Sequence, residues 1–68
     1  MSNMNKEFLK HRLEMVTKQI EIYKTNAIES IEKEEMIPAT CDLLIMRDLK
    51  EQQLLLKQIV ESEEQSNE

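Results

Sequence analysis

Met36-Ile37-Pro38-Ala39-Thr40 is the stretch that decides the fold, because it interrupts a chain that is otherwise free of helix breakers. Pro38 has no backbone donor for a continuing helix and pushes Ile37 toward an extended conformation. Thr40 is then placed to cap a second helix, with Asp42 in a first turn favoured by the helix dipole. The alternative start has Pro38 itself at the first helical position. Either start gives one helical-hairpin domain over residues 1–68: a helix over about 4–34, a turn over about 35–39, a helix over about 40–62 and an acidic, flexible tail over 63–68. A connection this short favours antiparallel neighbours over a long crossover. The rival is one straight helix running through Pro38.

Before this break, Leu9, Leu13, Val16, Ile20, Tyr23 and Ala27 follow one another at alternating steps of four and three, the seam of a coiled coil. Glu14 before Lys18 and Glu29 before Lys33 are helix-supporting pairs on the outer faces. After the break the period changes. Leu43, Leu44, Ile45 and Leu49 recur eleven residues later as Leu54, Leu55, Leu56 and Val60. An eleven-residue spacing is about 3.67 residues per turn, so such stripes hardly drift around a straight helix. At about 100° per residue, Ile45, Leu49, Leu56, Ile59 and Val60 are expected on the hairpin core, Leu44 and Leu55 beside it, and Leu43 and Leu54 on the far side. Folding about Met36 and Ile37 sets Val16 opposite Leu56, Tyr23 opposite Leu49, and Ile20 near Gln52 or Gln53, with Gln52 the expected polar break in the seam.

The chain has 68 residues, no Gly and a single Pro, and the lack of Gly tells against a small β domain, whose tight turns need positive φ. The expected class is therefore all-α: an antiparallel two-helix hairpin that self-associates into a four-helix bundle or larger helical oligomer. Self-association follows from surplus apolar surface. Phe8, Met15 and Ile22 repeat every seven residues off the main seam, and with Leu43, Leu44, Leu54 and Leu55 they form the expected oligomer interface. A domain of this size buries only about 60% of its unfolded surface, which strengthens the case for a partner.

Charge points to the same topology. Residues 6–24 hold Lys6, Lys10, Arg12, Lys18 and Lys24 against Glu7, Glu14 and Glu21, whereas residues 61–68 carry four carboxylates and no base. Bases at a helix start and acids at a helix end both oppose the helix dipole, and an antiparallel hairpin lets each relieve the other.

The sequence excludes more chemistry than it suggests. Its longest apolar runs span three or four residues, against about 20 for a bilayer crossing. The charged N-terminus lacks the apolar stretch of a secretion signal, and one cysteine closes no internal disulfide, so a cytoplasmic protein with Cys41 as a small buried apolar residue is expected. The composition would suit a bacterial or phage protein. His11 shares a face with Glu7 and Glu14 but lies off the seam, so no metal and no cofactor is expected. No glycine loop and no nucleophilic triad is present, and no enzyme is expected.

The expected function is that of a small non-enzymatic regulatory or adaptor protein working through protein contacts as a homo-oligomer. Glu32, Glu34, Glu35, Lys10 and Lys24 are the candidate contacts with a further protein partner. Two alternatives stand beside it. A nucleic-acid-binding bundle would use Lys10 and Lys24 on the basic side of helix one, although a net charge of −5 argues against it. In architecture alone, with no motif behind it, such a hairpin resembles the small repressor-of-primer bundles that bind paired RNA loops. An acidic inhibitor would instead occupy a partner's nucleic-acid-binding surface through the glutamates at the turn.

Overall fold

A computed structural model describes residues 2–66, with side chains over 5–64. Two helices, α1 (Ser2–Glu32) and α2 (Met36–Ser66), each of 31 residues, pack side by side along their length. The resulting rod measures 51 × 14 × 13 Å, with both helices running along its length. Such a shape has one internal seam and no enclosed core. The two-helix hairpin is thus present, and the straight helix through Pro38 is not.

The turn is built without glycine. Glu34 adopts a left-handed conformation (φ 61°). Its N–H donates to the Ile31 carbonyl at 3.0 Å, and the N–H of Glu35 donates to the Ser30 carbonyl at 2.8 Å. These two bonds are a Schellman cap on α1, with glutamate in the position that glycine usually fills. Glu35 then caps α2, since its carbonyl accepts the Ala39 N–H at 3.2 Å. Met36, Ile37 and Pro38 form the first turn, where backbone donors have no helical acceptor, and so the missing donor of Pro38 costs nothing. The helix therefore starts before Pro38, not at Thr40. The Thr40 hydroxyl donates back to the Met36 carbonyl at 2.8 Å, inside the helix. The expected flexible tail is also corrected in part: α2 continues to Ser66, and Asn67 and Glu68 lie outside the described residues.

A left-handed conformation costs a non-glycine residue about 1–2 kcal/mol, part of which glycine forfeits through its freer unfolded chain. Glu34→Gly should therefore stabilise the hairpin by about 1 kcal/mol, read as a higher urea midpoint. Glu32→Gly, two residues earlier inside α1, should lower stability by up to about 1 kcal/mol.

The seam follows a strict heptad on both helices. On α1 it comprises Lys6, Leu9, Leu13, Val16, Ile20, Tyr23, Ala27 and Ser30, all buried or half-buried. On α2 it comprises Ala39, Asp42, Met46, Leu49, Gln53, Leu56, Val60 and Glu63. Val16, Ile20 and Leu49 form the tightest cluster, with Tyr23, Met46 and Leu56 packed against it. Ala27 and Ala39 are almost fully buried, and Ser30 sits beside them, so small side chains let the helices approach closely near the turn.

Ile45 and Ile59, expected in the core, are exposed (38% and 46%), while Ala39, Met46 and Gln53 take seam positions. The cause is the partner helix. Two helices that stay in contact over this length must share one period, and the heptad of α1 imposes 3.5 residues per turn on α2, overriding the eleven-residue pattern of its leucines. The hairpin folds about Glu34, and Gln53, not Gln52, is the amide that reaches the seam. Its Nε2 donates to the Thr17 hydroxyl at 3.0 Å, which in turn donates to the Leu13 carbonyl at 2.8 Å. Tyr23 takes no part in that chain.

Candidate interaction surface

Contacts between the helices fix which flank each exposed residue occupies. Lys10 reaches Glu64 at 3.3 Å, with Lys6 at 3.9 Å from the same carboxylate, and Gln53 reaches Thr17. These contacts realise the expected pairing of the basic start of α1 with the acidic end of α2. Lys10, Thr17 and Glu64 therefore mark one long flank of the rod. Steps of seven from them place Lys24 and Ile31 of α1, and Lys57, Lys50, Leu43 and Met36 of α2, on that flank. Glu7, Glu14, Glu21 and Ile28 form its outer row on α1, and Arg47, Leu54 and Glu61 on α2.

The opposite flank is different in character. From α1 it carries Phe8, Met15 and Ile22, and from α2 Ile45, Leu55 and Ile59, with Leu44 and Cys41 at its α2 edge. All are exposed, Phe8 to 68% and Leu55 to 56%. Gln19, Gln52, Asn26 and Arg12 line the trough between the two apolar rows. Cys41 was expected to be buried; it is exposed because it lies on this flank, off the heptad seam.

Each sequence-based candidate can now be placed. Leu9, Leu13, Val16, Ile20, Tyr23 and Ala27 face α2, and Leu49, Leu56 and Val60 face α1. Phe8, Met15, Ile22, Leu44 and Leu55 gather on the apolar flank, joined there by Ile45 and Ile59. Leu43 and Leu54 do not join them; they lie on the lysine flank, Leu43 near Ile28, Ile31 and Met36 at its turn end. Glu32, Glu34 and Glu35 are exposed around the turn, Lys24 is exposed, and Lys10 is half-buried against Glu64. Sequence reasoning missed Ile28, Ile31, Met36 and Ile37 as exposed apolar residues, a group whose spacing follows neither the seven- nor the eleven-residue repeat.

Among the described residues, no group of three or more His, Cys, Asp and Glu is placed to hold a metal ion. No helix among them is long and apolar enough to cross a membrane. Comparison with protein-family models, curated proteins and solved structures finds no match to the chain.

Gln53 separates stability from specificity within this arrangement. A polar residue in a coiled-coil seam fixes register at a cost in stability, and an exposed amide–hydroxyl bond returns only about 0.5–1.5 kcal/mol. Gln53→Leu should raise the urea midpoint by about 1 kcal/mol and leave the Thr17 hydroxyl on the Leu13 carbonyl. A fall in the midpoint would show that the Gln53–Thr17 bond outweighs the burial gained.

Proposed function

We propose that this protein is a small non-enzymatic regulator or adaptor that works through protein contacts as a homo-oligomer in the cytoplasm. The observation that carries this reading is the distribution of apolar surface. Among the described residues thirteen large hydrophobic side chains are exposed, against six hydrophobic residues that are buried. Scattered exposed leucines are ordinary, but two rows at helical spacing on one flank are a surface made to be covered. Purification of the tagged full chain from its native host tests the reading. A protein retained at stoichiometric levels, and lost when Glu32, Glu34 and Glu35 are neutralised or when Lys10 and Lys24 are reversed, supports it. Retention of nucleic acid alone, or turnover of a small molecule, would contradict it.

The second reading is nucleic-acid binding, favoured by the gathering of Lys10, Lys24, Lys50 and Lys57 on one flank. Glu64 already occupies Lys10, and Glu7, Glu14 and Glu21 run alongside, which weakens the field that phosphates would meet. An electrophoretic shift with mixed DNA and RNA at low salt decides between the two. A shift that weakens steeply with salt and vanishes in Lys10→Glu/Lys24→Glu, while the helical signal persists, would replace the protein-contact reading. The acidic-inhibitor version has the opposite charge dependence. Neutralising Glu32, Glu34 and Glu35 would weaken a complex with a basic protein, and adding this protein would release that partner's nucleic acid.

A further inference from the structure

The apolar flank has an internal order that points to its occupant. Counting along each helix from Glu34, Phe8 is level with Ile59, Ile22 with Ile45, and Met15 with Gln52, each to within one residue, with Leu55 three residues beyond Gln52. On each helix the outer two side chains are fourteen residues, about 21 Å, apart. Met15 lies halfway between Phe8 and Ile22, and Gln52 halfway between Ile45 and Ile59, so the four outer side chains match themselves when the face is turned end for end. From their fractional exposures, the six apolar side chains present roughly 500 Å² per copy, and complete burial of two such faces removes roughly 1,000 Å² from water, the lower bound for a specific interface. A single hairpin of this size has little core of its own.

We propose that the occupant is a second copy of the chain, packed face to face and end for end about a two-fold axis that crosses the face at the level of Met15 and Gln52. This inference rests on the self-association reading above and adds the face, the orientation and the axis. In this arrangement α1 lies against the second copy's α1 and α2 against the second copy's α2. The Phe8–Ile59 rung of each copy covers the Ile22–Ile45 rung of the other. Every neighbouring pair of helices is antiparallel, so their dipoles oppose one another throughout.

Charge selects this orientation over packing with both turns at one end. Glu29, Glu32, Glu34, Glu35 and Asp42 all lie at or near the turn, with Lys33 the base among them. Turn beside turn would crowd two such clusters together, whereas end-for-end packing sets them at opposite ends of a rod about 51 Å long.

Oxidative crosslinking of the full chain tests the geometry, because Met15 sits on the proposed axis and Cys41 lies far from it. Met15→Cys in a Cys41→Ser background, oxidised at tens of micromolar with copper phenanthroline, should run as a disulfide-linked dimer on a non-reducing gel. The wild-type chain, through Cys41, should remain monomeric on that gel. So should Glu14→Cys/Cys41→Ser, whose thiol lies on the opposite flank. Ready crosslinking of wild-type Cys41 would overturn the end-for-end orientation in favour of turn beside turn. A dimer by sedimentation in which the Met15→Cys variant does not crosslink would overturn the choice of face. A folded wild-type monomer at the same concentration would overturn the whole proposal, while the protein-contact function would still be decided by partner capture.

Discussion

Leu49→Ala should cost the hairpin about 3 kcal/mol, within the range for truncating a buried leucine that leaves a cavity. Leu49 is 8% exposed and belongs to the central cluster with Val16 and Ile20. A scaffold of this size rarely draws more than about 3–5 kcal/mol from its core, so this single truncation should remove most of the cooperative unfolding transition at low protein concentration. The same change at Leu54 deletes the same atoms from an exposed position on the lysine flank. There the cost should stay within about 0.5 kcal/mol. Circular dichroism at 222 nm against urea reads both. Equal losses at the two positions would mean that the seam does not lie where the heptad of α1 places it.

Leu55→Lys should have its large effect on assembly, not on the seam. In the proposed pair this residue lies within about three residues of the two-fold axis, so one substitution puts two ammonium groups into the same apolar interface. The lost burial and the charges that must stay hydrated amount to about 3 kcal/mol or more, at least a hundredfold in dissociation constant. The thermal midpoint should fall and lose its dependence on concentration, since the stabilisation that a dimer gains by mass action would be gone. Glu14→Lys, on the outer row of the opposite flank, should leave mass and midpoint close to wild type. Opposite behaviour of these two variants would place the interface on the lysine flank.

How much of this was legible in the sequence differs between the two helices. On α1, Leu9, Leu13, Val16, Ile20, Tyr23 and Ala27 keep a strict heptad, and all six lie on the seam that their spacing implies. On α2 the runs Leu43-Leu44-Ile45 and Leu54-Leu55-Leu56 carry a stronger signal than the seam itself, which includes the polar residues Asp42, Gln53 and Glu63. An isolated helix with those runs would favour the Ile45–Ile59 face. Contact with a heptad partner selects Ala39, Met46, Leu49, Leu56 and Val60 instead and turns Ile45 and Ile59 outward. The same rotation completes the apolar flank, so the residues misplaced in the core are the ones that make the second surface continuous with Leu55.

The turn was hidden for a different reason. A left-handed cap is usually announced by Gly or Asn, and here Glu34 fills it among charged neighbours that look like ordinary helix. Pro38, the visible breaker, lies within the first turn of α2, where it breaks nothing. Hence the fold was legible while both helix boundaries near the turn were displaced. The lysine and glutamate rows were equally legible as positions. Their division between two flanks was not, because it depends on which side of the seam Lys10 meets Glu64.

Sedimentation equilibrium of the wild-type chain over a wide range of micromolar concentration tests the central claim most directly, that the exposed apolar flank is an interface between copies. A reversible shift toward twice the chain mass of 8.1 kDa is expected, with a thermal midpoint that rises as concentration rises. A single folded species at 8.1 kDa throughout that range, with a midpoint independent of concentration, would contradict it.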